Sequence, residues 1–151
     1  MISKKLVQLI ESHADEISRR WFQEVRQHPD TLSYHHFPEE KLLERAYDVY
    51  SHLGKWVESD ANRGHIEETY TNLGVERFRE GFRVSEVFKA LVLAKRQLWF
   101  FILDQGFFDS VTELYQVLEL YNSVTLFFDR AIHYTVKGFE QEASLYRKLP
   151  H

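Results

Sequence analysis

No proline interrupts residues 109–147, and that stretch limits the possible folds more than any other part of the chain. It opens on Ser110 and Glu113. At this spacing a serine oxygen bonds the amide three residues on while the glutamate reaches back. Beyond them Leu114, Leu118, Tyr121, Thr125, Phe128, Ile132, Thr135 and Phe139 recur at helical intervals. A second row, Val117, Leu120, Val124, Phe127, Ala131 and Tyr134, runs beside the first. Two adjacent rows form an apolar arc too wide for one neighbour, so the predicted helix packs on more than one side.

A helix of about 38 residues is roughly 57 Å long. A compact chain of 151 residues has a radius of gyration of about 15 Å and a diameter of about 40 Å. One end of the helix is therefore expected to project, with a bend at Gly138, where the composition turns polar. The surplus apolar surface before that point calls for a partner, most simply a second copy. Val117, Tyr121, Val124, Phe128 and Ile132 are the expected pairing residues. The competing reading is a single long core helix in a monomeric bundle.

The rest of the chain repeats the helical pattern. Residues 3–27 carry the stripe Leu6, Leu9, Ile10, His13, Ile17, Trp21 and Val25, and Pro29 ends it by restricting the residue before it. A loop through Tyr34, His35 and His36 leads to Pro38, Glu39 and Glu40, a first-turn proline with carboxylates at the positive end of the next helix. That helix carries Leu42, Ala46, Val49, Tyr50, Leu53 and Val57 and stops before Gly64. A third spans residues 65–80 and closes at Gly81; a fourth, residues 85–104, is the most apolar and stops at Gly106, after which Phe107 and Phe108 lead into the long helix. No stretch alternates with a period of two. The expectation is one all-α domain over residues 1–151, of about five helices.

Twelve Phe and eight Tyr against three Pro and six Gly suit long helices around an aromatic core. The absence of cysteine excludes disulfides, thiolate metal sites and a cysteine nucleophile, and suits the cytoplasm. A net charge of −4 gives no general attraction to nucleic acid or anionic lipid. The first eleven residues lack the continuous apolar run of a signal peptide. The most apolar window, residues 98–103, is far shorter than the roughly 20 residues that cross a bilayer. Neither nucleic acid nor membrane is an expected partner.

Eight histidines invite a metal reading, which their spacing opposes. A helical ligand pair needs two histidines four apart, or a glutamate three before a histidine, and neither occurs. No metal site is expected. His13 and His133, each on or beside an apolar stripe, remain as haem-ligand candidates, although isolated histidines on helical faces more often satisfy a core or boundary hydrogen bond. Ser12-His13 followed by Asp15-Glu16 lacks the acid directly after the histidine that a phospho-accepting site wants. There is no Gly-x-Ser-x-Gly and no glycine-rich phosphate loop. Arg77, Arg79, Arg83, Lys89, Lys95 and Arg96 are interleaved with Glu76, Glu80 and Glu86, as on a solvated face or a patch for an acidic protein. Lys95 or Arg96, on the most apolar helix, is expected to lay its stem along core surface or to meet a carboxylate. No catalytic residue and no cofactor is expected.

Three segments carry a family likeness. They are Ile17-Ser18-Arg19-Arg20-Trp21 with Val25-Arg26; Pro38-Glu39-Glu40-Lys41-Leu42-Leu43-Glu44-Arg45-Ala46; and Leu73-Gly74, Arg77-Phe78, Gly81-Phe82, Val84 and Glu86-Val87 running on to Lys95-Arg96 and Leu98-Trp99. Together they resemble the N-terminal domain of RsbR-type stress regulators, co-antagonists of the RsbT kinase, a domain also found at the front of bacterial histidine kinases. The resemblance spans nearly the whole chain and rests on helix patterns rather than catalytic signatures. It implies a globin-like fold, generally without haem, that dimerises and acts as a sensory input. It also implies a long last helix leading to an output such as a STAS domain. Here the chain ends at His151, so the output is expected in a partner protein or beyond an excised domain. The expected function is a non-enzymatic signal-transduction input; the alternative is a small-molecule or haem sensor with an aromatic pocket near Trp21, Trp56 and Trp99.

Overall fold

The computed structural model describes residues 3–58, 63–106 and 108–150; Phe107 lies outside them. Among the described residues there are seven α-helices and no strand: α1 (Lys4–Ser12), α2 (Ala14–Gln27), α3 (Glu39–Ser51), α4 (Leu53–Val57), α5 (Arg63–Arg79), α6 (Val84–Gln105) and α7 (Val111–Lys148). A short 3-10 turn, Leu32–Tyr34, lies between α2 and α3. The fold is all-α, as the periodicity predicts.

The count exceeds five because two predicted helices are each broken once, both times at a Ser-His pair. At His13 the backbone leaves the helix (φ −111°, ψ 21°), and at His52 it does so in the same way (φ −117°, ψ 25°). In each, the imidazole Nδ1 donates to the carbonyl four residues back, 2.8 Å to Leu9 and 2.9 Å to Asp48. The side chain thus occupies the acceptor that the helix ladder uses, a local competition that ends a helix. Glu11 ties the resulting pieces together by accepting the Gly54 amide at 2.9 Å.

The long helix starts as its sequence predicts, with the Ser110 hydroxyl accepting the Glu113 amide at 3.1 Å. Gly106, in the left-handed conformation (φ 73°), ends α6 and lets the chain turn back along it. Beyond its start, α7 departs from expectation. It continues through Gly138 to Lys148, and its second half lies along α5, with which it makes its most extensive contact. Paired rings advance together along both helices, Tyr70 with Phe127 and then Phe78 with Phe139 and Tyr146, so the two run parallel. Gly138 is a contact rather than the expected bend. A Cβ there would stand 2.1 Å from the Thr71 carbonyl oxygen, and one on Gly74 2.0 Å from that of Thr135. Two glycines let two backbones touch.

Around this pair, α2 packs on α3 and α6, α6 on α7, and α1 on α3 and α4. The aromatic share fills the centre: Trp56, Tyr70, Phe127 and Phe128 form one stack of rings, and Trp21, Tyr34, Phe37 and Phe82 another.

Candidate functional site

Where α2, α3, α5, α6 and α7 converge, the core leaves a cavity of about 70 Å³. Its cause is local: Ala46 of α3, Ala90 and Ala94 of α6, and Ala131 of α7 all present only a methyl group to it. At roughly 24 cal/mol per Å³, an unfilled space of that size costs on the order of 2 kcal/mol. Trp21 and Tyr50, also on the wall, turn their polar hydrogens onto α6 itself, to the carbonyls of Ala90 at 2.9 Å and Ala94 at 2.6 Å.

Among the described residues, the charged ones lining this cavity are two arginines. Arg77, on the buried side of α5, is 6% exposed. Its guanidinium donates to Glu80, and Arg45 of α3 donates to the same carboxylate, at 3.2 Å to Oε1 and through a second short bond to Oε2. Arg45 also lies over the Phe37 ring, 4.8 Å from its centre. Desolvation, and then the neighbouring Arg45 charge, pull the Arg77 pKa down against the pull of Glu80. Burial pushes the phenols of Tyr34, Tyr50 and Tyr70 well above the ordinary range, so all three line the cavity as neutral groups.

Arg77 and Glu86 correct the solvated-face reading of the basic cluster, since both are buried. Glu86 accepts the Ser33 amide at 2.8 Å and the Ser33 hydroxyl in a second, shorter bond. Burial alone would raise its pKa; these bonds outweigh burial and hold it below the usual carboxylate value. Elsewhere in the cluster Lys89 meets Asp30 at 3.8 Å, and Arg96 lies 5.4 Å from the centre of the Phe100 ring.

Of the three tryptophans, Trp21 is the one in this cavity's wall. Trp56 stacks on His65 at 5.2 Å, and Trp99 packs 4.9 Å from Tyr121 at the α6–α7 contact. The two haem candidates are likewise apart. His13 is engaged at the α1–α2 break and rests 5.2 Å from the Phe101 ring, and His133 is exposed on α7. Neither histidine lines the cavity, whose volume of about 70 Å³ is far below that of a porphyrin. Among the described residues, no group of three or more His, Asp or Glu could hold a metal.

The proposed pairing residues also divide. Val117, Val124 and Phe128 are buried in the chain's own core, Ile132 is half-buried, and Tyr121 is half-exposed. The two rows of α7 thus have different fates. The row of Val117, Leu120, Val124, Phe127 and Ala131 is core, whereas Leu114, Leu118 and Tyr121 of the other are 44%, 56% and 52% exposed. Val111 and Tyr115 of the same helix are exposed as well. Scattered apolar side chains on a surface are ordinary, whereas these recur on one side of a single helix.

The family described as the RsbT co-antagonist protein rsbRD N-terminal domain matches residues 15–145. No curated protein and no solved structure matches the chain.

Proposed function

This chain belongs to the RsbT co-antagonist rsbRD N-terminal domain family, a regulatory domain type of stress signalling, and from that premise we propose that it is a non-enzymatic cytoplasmic input domain that works as a homodimer. The observation that carries the proposal is the outward row on the first half of α7, Leu114, Leu118 and Tyr121. In this reading a second copy covers the row, and α7 links the pairing surface to an output. That output is a STAS-type or kinase domain or a partner protein. A signal that favours one packing of the paired helices over another shifts the population of output states in proportion to its preference for that packing.

Several observations support the reading. The row lies on the same helix whose inward face holds the core, so a change in pairing acts directly on core packing. Among the described residues no helix is long and apolar enough to cross a membrane. The small-molecule reading remains attached to a different feature, the α3–α5–α6–α7 cavity, which is compatible with a dimeric input rather than opposed to it. Neither His13 nor His133 lines that cavity.

The lack of native cysteine makes a cross-linking test clean. Single cysteines at Leu114, Leu118 and Tyr121 should include at least one that forms a disulfide-linked dimer in high yield under mild oxidation. Cysteines at the exposed α5 positions Glu67 and Glu68 should not. Equal yields from both sets, or none from the α7 row, would remove the proposed surface.

A further inference from the structure

We propose that the interior cavity is a binding site for a small monocarboxylic acid, its carboxylate held by Arg45 and Arg77 and its apolar tail lying among Ala46, Ala90, Ala94 and Phe128.

The charge balance at the wall points to an anion. Two guanidiniums converge on one carboxylate, that of Glu80, leaving a surplus positive charge beside an apolar space. Charge left partly uncompensated in such surroundings is costly, and a second carboxylate relieves it. Guanidiniums suit the task because their forked donors match a carboxylate's two oxygens. The side chains of Arg45 and Glu80 are about one-quarter exposed, so the charged end lies nearest solvent, while Ala131 and Phe128 are buried.

The remaining wall sets the class of the tail. The indole of Trp21 and the phenol of Tyr50 are already bonded to backbone carbonyls. The neutral phenols of Tyr34 and Tyr70 are then the wall's other hydrogen-bond donors. A polar or doubly charged ligand has little to meet beyond the arginines. A water-sized position needs about 10–15 Å³ by this measure, so 70 Å³ corresponds to roughly five heavy atoms. That size fits the tail of a short aliphatic acid of about six carbons, with its carboxylate outside the apolar space at the arginines.

Binding here stands on the cavity alone; only its use as a signal rests on the proposed input function. Phe128 and Ala131 belong to α7, so an occupying tail touches the inner face of the helix that carries the pairing row.

The test is calorimetric titration of the full chain with hexanoate, with its uncharged isostere hexanamide, and with inorganic phosphate, supported by melting curves. Hexanoate is expected to bind and to raise the melting temperature, and hexanamide to bind at least about tenfold more weakly, the factor expected for losing a charged hydrogen bond. Arg45→Gln, a change at a partly exposed side chain, should remove most of that preference, and Ala46→Leu should block both ligands by filling the space. No hexanoate binding at millimolar concentration would overturn the proposal. So would equal binding of acid and amide, phosphate binding as tight as hexanoate, a preference unchanged in Arg45→Gln, or undiminished hexanoate binding in Ala46→Leu. A dimer that binds no hexanoate defeats this inference alone. A monomer that binds it with the stated preference upholds the site while defeating the dimer.

Discussion

Phe128 and Tyr121 belong to the same predicted row of α7, yet one is 1% and the other 52% exposed. Replacing Phe128 by Glu should therefore unfold the chain, because it removes a core ring worth about 3–5 kcal/mol and also buries a carboxylate. Tyr121→Glu should leave the circular dichroism and melting temperature nearly unchanged while weakening self-association. Two glycines of α5 and α7 make a similar contrast. Gly138→Ala should lower stability despite the roughly 1 kcal/mol gained in helix propensity, since its Cβ would lie 2.1 Å from the Thr71 carbonyl oxygen. Gly64, where a Cβ meets nothing within 4 Å, should tolerate alanine or gain up to about 1 kcal/mol; denaturant midpoints distinguish the two. The buried phenols of Tyr34, Tyr50 and Tyr70 set an alkaline limit. Their folded pKa values are raised, so their contribution is complete below the unfolded phenol value of about 10 and is lost as pH rises above it. Ultraviolet titration should show these three ionising only together with the loss of helical signal. Apolar spacing marks which residues lie on a helix but not which of two adjacent rows its neighbours cover. The burial of Arg77, three residues on from Gly74, follows the spacing Ile66, Tyr70, Gly74 and Arg77, a stripe hidden in the sequence by its glycine and its charge.

At the scale of elements, starts and stops were readable wherever a side chain acts on its own neighbours. Ser110 caps α7 and Gly106 ends α6 in the way their residue types demand. Ser110→Ala should cost about 1 kcal/mol, seen as a lower unfolding midpoint without loss of the rest of α7. The breaks at His13 and His52 escaped the apolar pattern because the stripe continues across them; the available signal was the repeated Ser-His pair. The pairing of α5 with α7 escaped it for a different reason. Its closest points are two glycines, residues with no side chain to contribute to any apolar row, and α5 joins residues far apart in the chain to α7. Contact between α7 and α5 consequently continues past Gly138 as far as Tyr146, with no bend at the glycine.

For the whole molecule, the all-α fold was legible from periodicity and the absence of alternating stretches. The cavity was not, because the four alanines and two arginines that build it come from α3, α5, α6 and α7, and each alone reads as an ordinary helical residue. The outward face is also a property of the assembled chain, left over once α5 and α6 have covered the other row of α7. Both features meet on that helix, with the cavity wall on its inner side and the proposed pairing row on its outer side. Light scattering on the purified chain, beside a Leu118→Glu, Tyr121→Glu double variant, tests the dimeric input directly. The account predicts twice the chain mass for the parent and the single-chain mass for the variant, with equal helical signal. A monomeric parent, or a folded variant that still dimerises, would contradict it.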